Sequence, residues 1–470
     1  MINWNSVKIV ATAGPASSSY KTLKAMFNKG LDIVRINFSH GKYEEYKKTI
    51  KLVRKIENEI GRPLGILADM PGPKLRVRGI EKPITVKPGS LLVIRKLAPK
   101  NDGEISIAYP VILKVLKPGD KISISDGKFT IRVISKTKDT VTCKVIDGTG
   151  EIRKGAGLNF PEVDLPIPSV TPEDFKHISF ACAHGVDFIG LSFIKEADDL
   201  AKVRKHLKKI KASPFLISKI ERRAALANLK SIVHATDGVM VARGDLGVEM
   251  PIEKVNLLQK EIIKMCNANG KPVITATQML ESMIENPSPT RAEVSDVANA
   301  VFDGTDAIML SGETAIGKFP LLAVEMMYKI ARNVEPKLDR TKNVAYLSDD
   351  DLSDIISKNV VRIAEVYGVK DILVPTESGK TARMVSRYRP NARIIALTSN
   401  EKIQRQLVLP FGVYPCRIKK HANSSVIFKV VDEFIKKSKL FKKGDKIIIA
   451  AGTLEKKGSA SNFVKIMTVD

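Results

Sequence analysis

The stretch Pro214-Phe215-Leu216-Ile217-Ser218-Lys219-Ile220-Glu221 decides how the rest of the chain is read. Its apolar and β-branched residues make a short strand that closes on a lysine and a glutamate. Residues two apart on a strand project to the same side, so Lys219 and Glu221 share a face. A helical pattern over Arg223–Ser231 comes next, then a second apolar run, Gly238–Asp245, which again ends on an acid. Strand, helix and strand in that order make a parallel βα unit, with ionisable groups gathered at one edge of the sheet.

Moving outward, the same alternation recurs. Strand-like runs occupy Val7–Thr12, Ile33–Phe38, Leu64–Asp69, Asp187–Phe193, Pro272–Gln278 and Ala307–Gly312, besides the two above. Helical patterns fill Tyr20–Asn28, Tyr43–Glu59, Ala197–Lys209, Ile252–Ala268 and Ser288–Phe302. Eight such units predict a closed (β/α)8 barrel of the TIM type, spanning 1–70 and 169–336. Between Pro71 and Pro168 the alternation breaks. Short strands there (Ile84–Val86, Leu91–Arg95, Lys121–Ser125, Phe129–Ile134, Val141–Ile146) are separated by Pro-Gly and Asp-Gly turns, so 71–168 is expected to be an inserted β domain. It leaves from the carboxyl end of the third barrel strand and is placed to act as a lid. After Glu335-Pro336 a third unit, 340–470, reads as an α/β domain of its own. Its helix from about Leu352, strand Asp371–Pro375, helix Ala382–Tyr388 and strand Arg393–Thr398 are followed by a helix around Ser425–Lys437 and strand Lys446–Ala451.

A chain of 470 residues with 44% hydrophobic and 27% charged residues has the composition of a folded, water-soluble protein of several domains. No apolar run approaches the roughly 20 residues of a membrane span. Met1-Ile2-Asn3-Trp4 lacks the plan of a signal peptide, and Cys143, Cys182, Cys266 and Cys416 form no metal-spaced pair, so a cytoplasmic setting is expected. The net charge of +26 raises the alternative of a basic nucleic-acid-binding protein. The lysines are scattered without an RNA- or DNA-reading motif, which favours solvated lysine faces that also attract small anions. Walker, dinucleotide and nucleophile-elbow motifs are absent, and the six histidines have no paired spacing.

The carboxyl ends of the eight strands carry Thr12, Arg35 with Asn37 and Ser39, Asp69, Ser192, Lys219 with Glu221, Asp245, Thr277, and Ser311 with Glu313. Nearly all are polar or ionisable and all fall on one face, which points to an enzyme. Two carboxylates from neighbouring strand ends, Glu221 and Asp245, are a sparse oxygen set of the kind that holds Mg²⁺ or Mn²⁺ together with substrate oxygens. The competing reading is a lysine–acid salt bridge at the barrel rim. Gly244 and Gly247 favour the metal reading, since they let backbone N–H groups approach an anion. Lys219 would then stabilise charge on a phosphoryl group or an enolate, and Arg35 would clamp phosphate oxygens. Thr277 either relays a proton or caps a following helix.

These motifs are specific enough to resemble a known family, pyruvate kinase, over nearly the full length. The resemblance rests on Thr12–Pro15, Val34–Gly41, Gly72–Arg76, Gly157–Pro161, Ser218–Glu221, Met240–Gly247, Ala276–Met283 and Ser295–Thr314. It implies transfer of the phosphoryl group of phosphoenolpyruvate to ADP, giving pyruvate and ATP in the last step of glycolysis. By that resemblance Glu221 and Asp245 hold the divalent ion, Lys219 and Arg35 serve the phosphoryl group, and Thr277 assists protonation. Ser192 and the backbone from Ala242 through Arg243, Gly244 and Asp245 line the substrate, while Asn37, His40 and Arg76 face the nucleotide. A homotetramer is also implied, with Ala292–Asn299 and the tail helices as contacts. Two departures stand out. Many members use K⁺ at positions matching Asn37, Ser39, Asp69 and the Met70 carbonyl, with a glutamate where this chain has Lys74; the built-in ammonium leads to an expectation of K⁺-independent activity. The loop Thr376-Glu377-Ser378-Gly379-Lys380-Thr381 matches the family's phosphate-binding effector loop, but Glu377 disfavours a second phosphate. AMP or a sugar monophosphate is then the expected effector, against a plain strand–turn–helix with no ligand. The rival enzyme is a metal-dependent enolate lyase or aldolase on the same barrel, which needs neither Arg35 nor a lid.

Overall fold

The computed structural model describes residues 5–125, 127–161, 163–338, 352–419, 427–452 and 461–469. Eight parallel strands close into a barrel: β1 (Lys8–Ala13), β2 (Ile33–Asn37), β3 (Gly65–Met70), β4 (Phe188–Leu191), β5 (Phe215–Ile220), β6 (Gly238–Ala242), β7 (Val273–Ala276) and β8 (Ala307–Leu310). Each pairs with its neighbours in chain order, and β8 returns to β1 in the register Lys8↔Ala307. The two-residue period of the strands sorts their side chains. Val10, Ile33, Leu67, Phe188, Ile217, Met240, Ile274, Ala307 and Met309 fill the barrel's interior, whereas Leu216 and Ile220, for example, face the surrounding helices. Two residues further along the same inward rows stand Thr12, Arg35, Asp69, Lys219 and Ala242. One row therefore supplies both the apolar packing below and the polar mouth above.

The helix ends explain where two expectations shift. The helix expected over Ser288–Phe302 begins at Arg291, because the residue before Pro289 is disfavoured in helical conformation and Thr290 caps the helix. Thr290 Oγ accepts from the Glu293 N–H at 3.2 Å, and the Glu293 carboxylate takes the Thr290 N–H at 2.7 Å. The segment Arg223–Ser231, expected as one helix, is two: Arg223–Ala227 and Leu229–Ala235. Asn228 breaks them apart, its side chain donating to the Lys195 carbonyl at 3.0 Å.

The inserted segment forms a seven-stranded sheet in the order Leu158–Asn159, Lys121–Ile124, Phe129–Lys136, Thr140–Asp147, Leu91–Arg95, Glu104–Ile107 and Val77–Arg78. A bridge between Arg76 and Gly157 brings its two ends together, so the sheet is nearly a second barrel. It encloses its own core around Phe129, Ile131, Leu92 and Val141. The four strands at 77–78, 104–107, 150–152 and 158–159 escaped the sequence reading, being two to four residues long.

The tail is a five-stranded sheet in the order Val413–Arg417, Arg393–Thr398, Asp371–Pro375, Lys446–Gly452 and Ser461–Thr468, parallel except for the last strand. Its helix Ile427–Ser438 is placed, but the expected start of that helix at Ser425 and the expected domain start at 340 lie outside the described residues, as does Met1–Trp4. Tail residues Val408 and Leu409 plug the floor of the barrel. Below it Arg389 pairs with both oxygens of Asp306, at 2.7 and 2.8 Å. Among the described residues no helix is long and apolar enough to cross a membrane.

Candidate active site

At the carboxyl ends of the strands the inward rows converge on one charged cluster. Arg35 on β2 donates from Nε to Asp69 Oδ2 at 2.7 Å and from Nη1 to Thr12 Oγ at 2.9 Å. Lys219 on β5 donates to Ser192 Oγ at 2.8 Å and lies 2.8 Å from Glu221 Oε1 and 3.3 Å from Asp69 Oδ1. Asp69 is thus the hub between the two cations. A Cβ at Gly190, its neighbour on β4, would stand 3.1 Å from Asp69 Oδ1, so the small residue there leaves the carboxylate its room. The rim salt bridge raised as an alternative is formed, since Lys219 and Glu221 are paired.

The electrostatics show what that pairing balances. Burial alone would lower the pKa of Lys219, but Asp69 and then Glu221 outweigh it and hold the ammonium charged well above the usual lysine range. Asp69 is opposed by burial too, and Lys219 and Arg35 keep its carboxyl below the ordinary value. Glu221, 1% exposed, goes the other way: burial, reinforced by Asp245, pushes it up to about 7 against the pull of Lys219. Glu221 and Asp245 are close enough to act on each other through charge, and with oxygen donors only they fit a hard divalent cation. Among the described residues no group of three His, Cys, Asp or Glu gathers to hold a metal.

The other expected residues divide. Thr277 does not cap a helix that follows it in the chain; it caps, across space, the first turn of the helix Arg243–Glu249. Its hydroxyl accepts the Gly244 N–H at 2.8 Å and donates to the Ala276 carbonyl at 2.6 Å, and the next helical element is a 3₁₀ turn at Glu281–Ile284. Ala242, Gly244 and Asp245 border the mouth at the start of the helix Arg243–Glu249. The Arg243 side chain turns inward instead: it binds Asp296 at 2.7 Å and the carbonyls of Thr277 and Gln278 at 2.8 and 3.0 Å, which leaves its backbone alone for a ligand. Ser192 Oγ donates to the Met70 carbonyl at 2.7 Å, and Asn37 Oδ1 accepts the Ser39 N–H at 3.1 Å. Lys74 sits among like charges: burial, then Arg76 and Lys219, push its pKa down to about 8, with Asp69 opposing. Lys74, then Arg76 and Arg35, add to burial in lowering His40. Arg76 reaches the lid carbonyl of Gly155 at 2.7 Å. Glu313, counted among the strand ends, is fully buried and spends its carboxylate on the N–H groups of Ser311 and Leu280, at 2.7 and 3.1 Å.

In the loop 376–381 the hydroxyls of Thr376 and Ser378 are turned on the loop itself. Thr376 Oγ accepts from the Gly379 N–H at 2.9 Å and Ser378 Oγ from the Lys380 N–H at 3.4 Å; Gly379 takes a φ of 75°, Lys380 is exposed and Thr381 is buried.

Between lid and mouth lies a cavity of about 220 Å³ lined by Lys74, Arg76, Asn159, Phe193, Arg222, Asp245 and Glu249. A larger one, about 330 Å³, lies at the opposite end between barrel and tail, around Lys8, Asp32, Arg62 and Tyr414. Of the ionisable strand-end residues, Asp245 lines the smaller. Arg222, Phe193 and Glu249 were not singled out from the sequence; the adjacency of Arg222 to Glu221 was the only available signal.

A parallel barrel whose mouth joins cations to paired carboxylates beneath an inserted β domain belongs to an enzyme that handles small anions. Residues 4–324 match the family described as pyruvate kinase, barrel domain, and residues 354–467 match pyruvate kinase, alpha/beta domain. The chain is 41% identical to a pyruvate kinase of Thermococcus litoralis, covering 98% of each. It is 41% identical to that of Bacillus licheniformis over 98% of this chain and 80% of the relative, and 39% identical to that of Thermotoga maritima over 99% and 100%. The chain belongs to the pyruvate kinase family, a family of phosphotransferases.

Proposed function

We propose that the chain transfers the phosphoryl group of phosphoenolpyruvate to ADP, in the cytoplasm and as a homotetramer. The observation that carries this is the convergence of Arg35, Lys219 and Glu221 around Asp69 at the barrel mouth. In the reaction the bond between phosphorus and the enol oxygen breaks, and a β-phosphate oxygen of ADP forms the new bond. The electron pair stays with the enolate, whose carbon then takes a proton to give pyruvate. Arg35 and Lys219 neutralise the phosphoryl oxygens, and Lys219 stays to stabilise the enolate. Glu221 and Asp245 would hold Mg²⁺ or Mn²⁺, which supplies Lewis-acid charge neutralisation on the substrate oxygens. The backbone at Ala242–Asp245 and Ser192 orient the substrate, and Asn37, His40 and Arg76 meet the nucleotide. Thr277, whose hydroxyl already lies between the Gly244 N–H and the Ala276 carbonyl, holds a proton near the carbon to be protonated. Residues 71–168 close over the mouth and exclude water.

Lys219→Met tests this reading. Assayed with phosphoenolpyruvate and ADP, it should lose about 10²–10³-fold or more in kcat, the scale of removing a preorganised charge stabiliser. Near-normal turnover would overturn the assignment, and turnover of an aldol substrate by the wild type would favour the lyase. Basic surface charge alone would give a steep salt dependence of binding to RNA.

Two finer features belong to the same reading. Lys74 supplies the charge that K⁺ brings elsewhere in the family, so kcat should be the same in tetramethylammonium and in K⁺, and Lys74→Glu should create a K⁺ requirement. The loop 376–381 binds a monophosphate such as AMP or a sugar monophosphate. A thermal-shift screen of phosphometabolites tests this, and no response to any of them would leave the loop a plain strand–turn–helix.

A further inference from the structure

Phe193, two residues past the end of β4, takes a conformation that a bulky side chain rarely adopts, with a φ of 59°. The strain has a visible return. Its N–H donates to Glu221 Oε2 at 2.8 Å, while Lys219 holds Oε1, so both carboxylate oxygens are aimed. Such a conformation persists only if its surroundings impose it, and the ring of Phe193 is gripped from two sides. On one side is Gly72, where the lid departs: a Cβ there would stand 2.8 Å from the ring. On the other is Arg222, whose guanidinium carbon lies 4.7 Å from the ring centroid. Arg222 is 8% exposed, and the acid that favours its charge most is Glu249, followed by Glu221. The Asn159 amide of the lid and the Arg223 N–H approach the Glu249 carboxylate in turn.

We infer that Arg222 is a positioning residue for the divalent-ion carboxylate: by pressing Phe193 against the lid hinge at Gly72, it keeps the Phe193 N–H on Glu221. This rests on Glu221 being a metal ligand. Arg222 touches no substrate in this role; it acts through Phe193.

The test is the titration of the substrate-free enzyme with Mn²⁺, followed by electron paramagnetic resonance. Arg222→Met keeps an unbranched apolar stem and removes the guanidinium with its charge. A cation that merely neighboured the site would, when removed, tighten Mn²⁺ binding. Positioning has the opposite sign: R222M should weaken it about tenfold, the scale for groups that orient a metal ligand. Arg222→Lys should restore affinity to within about threefold, and excess Mg²⁺ should recover the kcat of R222M. Phe193→Ala should show the same loss, and R222M/F193A should be no worse than F193A alone. Unchanged or tighter binding in R222M, or fully additive losses, would overturn the inference. Unfolding midpoints are checked first, and if R222M fails to fold, the F193A titration decides, since it must show the loss. Glu221→Gln separates the two levels. If it leaves Mn²⁺ binding intact, the metal reading has failed; if it weakens binding and R222M does not, only the role of Arg222 falls.

Discussion

Glu221 and Lys74 are the two side chains whose protonation the mouth has moved into an observable range. For Glu221, burial and Asp245 raise the pKa to about 7, so below that value a proton competes with the metal. The apparent Mn²⁺ affinity of the substrate-free enzyme should be nearly flat above pH 8 and fall about tenfold per unit below pH 6. Titration across that range checks it, and a flat profile would show that Glu221 does not ligate. Lys74 has the opposite sense. Its pKa is lowered to about 8, so the ammonium is present below that pH and lost above it. The kcat/KM for phosphoenolpyruvate should therefore decline above pH 8, with K⁺ beginning to stimulate there. Lys74→Arg, which keeps its charge, should remove both effects. The identities of these residues were plain in the sequence. Their pKa shifts were not, because they come from burial and from charges on other strands.

Among the elements, the helix Arg291–Phe302 shows how few residues place a whole segment. Its capping box joins Thr290 and Glu293, and Glu293 also takes the Ser282 N–H and hydroxyl at 2.7 and 2.5 Å, which ties the helix to the loop after β7. Thr290→Ala should cost about 1 kcal/mol and lower the denaturant midpoint, with kcat unaltered. A fall in kcat instead would mean that this helix end steers the Thr277 loop. Long elements with a clear period were legible: all eight barrel strands were located, and Tyr20–Asn28 matches to the residue. Short strands were not, because a pair such as Val77–Arg78 owes its conformation to its partner Ser106–Ile107 and not to any local pattern.

At the scale of the whole molecule, barrel and tail are joined by a buried ion pair. Arg389, 1% exposed, reaches Asp306, whose carboxylate also accepts the N–H groups of Val273 and Phe411, each at 2.9 Å. Arg389→Met leaves that carboxylate buried without its cation, a loss of about 3–5 kcal/mol. The expected result is faster hydrogen exchange on both sides of the junction, around β8 and around Phe411. Unchanged exchange would show that the remaining contacts, Val408 and Leu409 in the barrel floor and Arg405 on Glu57 among them, suffice to hold the tail. The net charge of +26 finds only part of its explanation here: Arg35 and Lys219 meet on Asp69, and Lys74, Arg76 and Arg222 line the cavity beneath the inserted domain.

What the sequence by itself determined was the barrel and the membership of its mouth. A strand's side-chain period is a property of the backbone, so polar residues at the strand ends had to meet once the strands closed into a ring. What only the tertiary structure decided is which of those groups touch. Asp69 became the hub between Arg35 and Lys219, Arg243 turned away from the mouth, and Phe193, Arg222 and Glu249 entered it. Contacts of this kind join residues far apart in the chain, and the low dielectric around them sets their charge; neither is written in local pattern.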